Sequence, residues 1–79
     1  MQASEAKLLK TFGRSMRSYR KQRRLSQDDL AVAARLSRNY VSDIERGERN
    51  PSLLALVRLS RALRLPLKDM LEDVEPKIS

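Results

Sequence analysis

The chain has 79 residues, no Cys, no His, 17 Lys plus Arg against 10 Asp plus Glu, and a formal net charge of +7. A domain this short has a marginal core, so self-association is an expected extra source of stability. Without Cys or His, disulfides, the usual zinc and haem sites and nucleophile–base pairs lack their principal residues, while the basic balance suits a polyanion such as nucleic acid or an anionic membrane.

The first periodic segment places Leu8 or Leu9, Phe12, Met16 and Tyr19 at spacings of three and four, with Lys7, Lys10, Arg14, Arg17 and Lys21 on the other faces. That pattern predicts an amphipathic helix over about 5–23. Ser26-Gln27-Asp28-Asp29 has the form of a capping box, with acids at the positive end of a second helix over 27–34. Ser37 offers another N-cap oxygen, and Val41 and Ile44 recur three apart before Gly47, which predicts a short third helix over 38–46. Glu48-Arg49-Asn50-Pro51 is a loop. Ser52 then caps a fourth helix with a core stripe of Leu53, Leu56, Leu59 or Ser60, and Leu63. Pro66 opens a fifth helix carrying Leu67, Met70, Leu71 and Val74, which ends before Pro76.

The expected architecture is all-α: one five-helix domain over 6–74, with flexible ends at 1–5 and 75–79. From Asp69 onward four acids stand against Lys77, a net of −3, so residues 1–68 carry +10. The acidic end should face away from a polyanion. No apolar run approaches a membrane span, and Leu8-Leu9 is far too short for a signal-peptide core, so a cytoplasmic protein is expected. Asp28, Asp29, Asp43, Glu45 and Glu48 lie among basic residues at helix ends and faces, so carboxylate catalysis is not expected. Neither an enzyme, a metal nor a cofactor is implied.

Two short helices joined by a turn of three or four residues, in a small basic helical domain, form the pattern of a DNA-reading helix-turn-helix. The second of this pair, over 38–46, should be the reader. Its face away from the core, Arg38, Asn39, Ser42, Asp43 and Arg46, carries small and bidentate-capable side chains of the kind a major groove requires.

From Phe12 to Leu71 the chain resembles the Cro and phage-repressor (xenobiotic-response-element) family of helix-turn-helix regulators, which implies a lambda-repressor-like fold. The resemblance rests on LSQDDLA at 25–31, SRNYVSDIERGERNPSL at 37–53, and Arg20. The stand-alone length and the NYVSDIERGERNPS stretch are further similar to controller proteins of restriction-modification systems. The resemblance implies an ion pair between Arg20 and Glu45 that ties the first helix to the end of the reader. It also implies a phosphate contact by Gln27 together with a helix amino terminus, and base reading by Arg38 and Asn39. Ser42 and Asp43 are further base-reading candidates. Arg35, Ser37, Tyr40, Arg46, Arg49, Asn50 and Ser52 are candidate phosphate anchors.

Arg24, Arg35 and Arg64 stand where the family often has glycine, so either those turns are strained or their geometry differs. Leu54 lies off the core stripe, and Leu65, Leu67, Met70 and Val74 are more apolar residues than a short terminal helix needs internally. Together they are the expected interface of a two-fold homodimer. The expected function is regulation of transcription by binding near-palindromic double-stranded DNA, with RNA polymerase as a further partner, either blocked or touched from an adjacent site. An antitoxin-like or adaptor protein is the alternative. Membrane binding would need a wide apolar face, which the core consumes here.

Overall fold

The computed structural model describes residues 3–74. Five α-helices follow in order: α1 (Ala3–Gln22), α2 (Gln27–Ala34), α3 (Arg38–Glu45), α4 (Leu53–Leu63) and α5 (Leu67–Met70), with a 3₁₀ turn at Glu72–Val74. No strand occurs among the described residues. α1 starts two residues before the expected Glu5, and α3 stops one residue earlier than expected. Of the expected flexible ends, residues 3–5 belong to α1 instead, and 1–2 and 75–79 lie outside the described residues.

The amino-terminal caps form as their sequence dictates. Ser26 Oγ accepts from the Asp29 N–H at 3.0 Å, and Asp29 Oδ2 accepts from the Ser26 N–H at 3.0 Å, closing the capping box reciprocally. The bond from the Ser26 N–H, with the hydroxyl contact, holds the Asp29 carboxyl below the usual carboxylate range. Ser37 and Ser52 cap α3 and α4 in the same way, accepting from the N–H groups of Tyr40 and Ala55.

The carboxyl-terminal ends share one device. Arg24, Arg35 and Arg64 all take left-handed dihedrals, with φ of 56°, 56° and 51°. After each comes a leucine whose N–H bonds to the carbonyl five residues back: Leu25 to Arg20, Leu36 to Ala31 and Leu65 to Ser60, at 2.9–3.1 Å. Each leucine packs against the core. This is the Schellman ending, in which glycine is the usual left-handed residue. The turn geometry is therefore kept, and arginine carries it.

The core joins Phe12 and Met16 of α1, Leu30, Ala31 and Ala34 of α2, Val41 and Ile44 of α3, Leu59 and Leu63 of α4, and Met70 of α5. Leu9, not Leu8, is the buried member of its pair, and Leu59, not Ser60, holds the α4 stripe. Two expectations are corrected. Leu53 is 72% exposed: Ala55, two residues on, turns inward at the start of α4, which leaves both Leu53 and Leu54 outside. Met70 is 1% exposed and fills the core beneath α5, so no partner can reach it as part of an interface. Leu65, Leu67 and Val74 are partly covered by the same core.

α1 lies directly against the carboxyl end of α3 because Gly13 has no side chain. A Cβ there would come within 2.5 Å of the carbonyl oxygens of Ile44 and Glu45. Gly47, at φ 73°, closes α3 and sits over Lys10 in a position that a Cβ would fill.

Candidate nucleic-acid interface

α3 is oriented from the inside. Glu45, the last residue of α3, takes the Arg20 guanidinium bidentately, Nε to Oε2 at 2.6 Å and Nη2 to Oε1 at 3.0 Å. The side chains are 11% and 4% exposed. The remaining arginine nitrogen, Nη1, donates to the Leu25 carbonyl at 2.9 Å. The hydrogen bonds to Glu45 raise the Arg20 pKa, against the opposing effect of burial. Gln27, at the amino end of α2, donates its amide to Glu45 Oε1 at 3.1 Å. One carboxylate thus fixes α1, α2 and α3 relative to one another, so the angle at which α3 is presented is set by a buried ionic knot.

Val41 and Ile44 point into the core, which turns Asn39, Ser42, Asp43 and Arg46 outward, with Arg38 beside them. The structure brings together on one surface all the residues expected to read bases, and it shows how they are held. Arg38 reaches across to Asp28 of α2 at 3.3 Å, both side chains well exposed. Each nitrogen of the Arg46 guanidinium has a partner: Nε on Glu48 at 3.0 Å, Nη1 on Ser42 Oγ, and Nη2 on Asp43 Oδ1. The other Asp43 oxygen faces Arg49 at 3.5 Å, and the Arg49 guanidinium lies 4.9 Å from the centre of the Tyr40 ring.

Several of the expected phosphate anchors have internal partners, while Arg35 lies beside Leu54, Arg58 and Arg61 of α4 and Asn50 beside Leu8 and Leu9 of α1. Tyr40 accepts the Ser52 N–H on its hydroxyl at 3.1 Å and so ties the reader to the start of α4. The Ser37 and Ser52 hydroxyls are occupied as caps, which aligns the amino ends of α3 and α4. Arg35 and Asn50 are exposed.

The electrostatics differ from what overall charge suggests. Residues 26–52 hold four arginines (Arg35, Arg38, Arg46, Arg49) against five acids (Asp28, Asp29, Asp43, Glu45, Glu48), a net of −1 in a chain of +7. Sequence reasoning missed this local balance, although a charge count by element reveals it. It also missed Gly13, whose signal is a lone glycine within an amphipathic helix. Arg23 was missed too: its Nε donates to the carbonyl of Leu63, the last residue of α4, where a cation opposes the negative helix end. Among the described residues no cluster of His, Cys, Asp or Glu could hold a metal, and no helix is long and apolar enough to cross a membrane.

Comparison with known proteins places these features in context. A helix-turn-helix family model matches residues 16–70. The chain is 44% identical over 62 residues to the control protein C.BamHI of Bacillus amyloliquefaciens, covering 77% of this chain and 76% of that protein. It is 43% identical over 60 residues to the HTH-type transcriptional regulator DdrOP3 of Deinococcus deserti, covering 76% of this chain but only 46% of that protein. Among solved structures, the restriction-modification controller protein C.AhdI of Aeromonas hydrophila is 39% identical, with a TM-score of 0.77, over 78% of this chain and 94% of that one.

Proposed function

The chain belongs to the helix-turn-helix family and is a DNA-binding transcriptional regulator, and on that premise we propose that it works in the cytoplasm as a two-fold homodimer on a near-palindromic operator. Restriction-modification genes are the proposed targets, and RNA polymerase is the machinery blocked or touched. The observation that carries the reading is the outward face of α3, held from within by the Arg20–Glu45 pair and lined by side chains suited to base edges. Arg38 is the reader of guanine and Asn39 of adenine, by bidentate geometry. Ser42 and Asp43 complete the contact, and Gln27, Arg35, Ser37, Tyr40, Arg46, Arg49, Asn50 and Ser52 place the backbone. Neither a cofactor nor an enzymatic step enters this reading.

The dimer follows from information as much as from surface. One eight-residue helix reads too few base pairs to select a site among a genome's competitors. The exposed side of α4 carries Leu53 at 72% and Leu54 at 57%, with the half-buried Val57 one turn on, an apolar strip left largely to solvent. A two-fold axis through this strip, with Leu65, Leu67 and Val74 as flanking candidates, would set the two reading helices about 34 to 36 Å apart on one side.

Selecting duplexes from a random pool tests the whole reading. The expected product is an inverted repeat with half-sites about one helical turn apart, and Arg38→Ala should relax one base pair in each half. Leu53→Glu with Leu54→Glu should give a folded monomer by sedimentation, with the preference for the repeat over random duplex largely lost. A selected motif without symmetry, or a double variant that stays dimeric, would place the assembly elsewhere.

A further inference from the structure

We propose that the exposed basic stripe of α1, formed by Lys10, Arg14, Arg17 and Lys21, is a second DNA-binding surface that takes the phosphate backbone of duplex flanking the bases read by α3. The inference rests on the DNA-reading function proposed above and assigns the source of its affinity. Non-specific and much of specific DNA affinity comes from cations that neutralise phosphates. The helix-turn-helix unit is a poor source, because residues 26–52 carry a net of −1, and Arg38, Arg46 and Arg49 each already face a carboxylate.

The surplus lies elsewhere. Residues 1–25 hold eight cations against Glu5 alone. Arg20 and Arg23 are used internally, by Glu45 and by the carbonyl of Leu63. Lys10, Arg14, Arg17 and Lys21 are all exposed, and among the described residues none forms an ion pair. Their spacing of four, three and four residues puts them on one face of the helix. Eleven steps at 1.5 Å each give a track about 16 Å long, a length over which a duplex carries roughly five phosphates per strand, counted along its axis at one per 3.4 Å.

The location fits the same duplex. Gly13 brings α1 against the last carbonyls of α3, and Lys10 lies so close to Gly47 that a Cβ there would stand 2.7 Å from its Cγ. The track therefore begins where the reading helix ends. The acidic turn is held on a different face of α1, where Ser15 Oγ donates to Asp73 Oδ2 at 2.8 Å, so its charge does not cancel the track.

The test compares the parent with an Arg14→Gln, Arg17→Gln, Lys21→Gln triple variant, titrated from 50 to 200 mM salt. Two duplexes are used, one trimmed to the selected bases and one extended by ten base pairs at each end. At about 0.9 counterions per contact, losing three contacts lowers the log–log salt slope by about 2.7, which shrinks the salt-induced fall in affinity about 40-fold. The parent should gain affinity on extension and the variant should not, while the selected base preference stays the same. Arg14→Lys with Arg17→Lys should retain the parental slope, and all variants should melt with the parent. An unchanged slope in the triple variant overturns the proposal. So does an equal loss from Arg58→Gln, Arg64→Gln and Lys68→Gln, which would mean a diffuse field rather than a track. A parent with no duplex preference overturns the DNA-reading function itself. A parent that discriminates, with a variant of unchanged slope, overturns only the stripe.

Discussion

Glu45→Ala should destabilise the free protein severely even though the residue belongs to the reading helix. The substitution removes three accepted hydrogen bonds, two from Arg20 and one from Gln27. It leaves the Arg20 guanidinium, whose side chain is only 11% exposed, with the Leu25 carbonyl as its remaining partner. Removing one member of a buried pair costs about 3 to 5 kcal/mol, because the other charge stays desolvated. A domain of this size has a total stability of roughly 4 to 12 kcal/mol by the usual per-residue range. Each kcal/mol moves its Tm by about 4 to 8 °C, so the variant should melt at least about 12 °C below the parent. Thermal unfolding followed by circular dichroism measures this without DNA. Replacing both partners, Arg20→Met with Glu45→Leu, should recover most of the loss, since no uncompensated charge remains. A Glu45→Ala protein that melts within a few degrees of the parent would refute the reasoning, because water would then be solvating the guanidinium as well as the carboxylate does.

Three further outcomes follow from single residues. Gly13→Ala should lower stability by about 1 to 3 kcal/mol, because the new Cβ meets the Ile44 and Glu45 carbonyls, and thermal melting decides it. Asp29 has a lowered pKa in the folded state, so the stability it contributes is complete above its unfolded pKa of about 3.9 and is lost as pH falls through the lower folded value. The Tm gap between parent and Asp29→Ala should accordingly be flat from pH 7 to pH 5 and close towards pH 2. Asp43→Asn should free Arg49, while Arg46 stays on Glu48, tightening binding to random duplex and steepening its salt dependence by up to about one contact, which a filter or anisotropy titration would detect.

Where local chemistry decides the outcome, the sequence was a sufficient guide. Ser26, Ser37 and Ser52 stand at their helix starts because a side-chain oxygen before an apolar-periodic segment has few other uses. The reading face was legible for the same reason, since Val41 and Ile44 orient the rest of α3. Leu53 was not legible: on a helix of Leu, Ala and Val several stripes satisfy the period, and only the tertiary packing of α4 chooses Ala55 over its neighbours. Met70 was misjudged because four apolar residues near a chain end resemble an external patch until α5 is seen folding back over the core. The network of Arg46 with Ser42, Asp43 and Glu48 joins residues of both charge signs over a short span, and a sequence does not reveal which of several possible pairs will form.

The three left-handed arginines raise a question of compensation, and Arg64 is the place to test it because it lies at the end of α4, outside the reading surface. A left-handed conformation costs a residue with a Cβ roughly 1 kcal/mol relative to glycine. A cation at the carboxyl end of a helix recovers about 0.3 to 1 kcal/mol by opposing the macrodipole, and that gain is screened by salt whereas the dihedral cost is not. The Arg64 N–H closes on the Arg61 carbonyl and Leu65 carries the motif into the core, so a substitution that keeps the turn changes only those two quantities. Arg64→Gly should therefore be close to neutral at low ionic strength and increasingly stabilising as salt rises, by up to about 1 kcal/mol, or some 4 to 8 °C in Tm. Arg64→Val, with a branched side chain at positive φ, should be destabilising at every salt concentration. If Arg64→Gly showed the same stability difference at 20 mM and 1 M salt, the dipole would not be what offsets the strain.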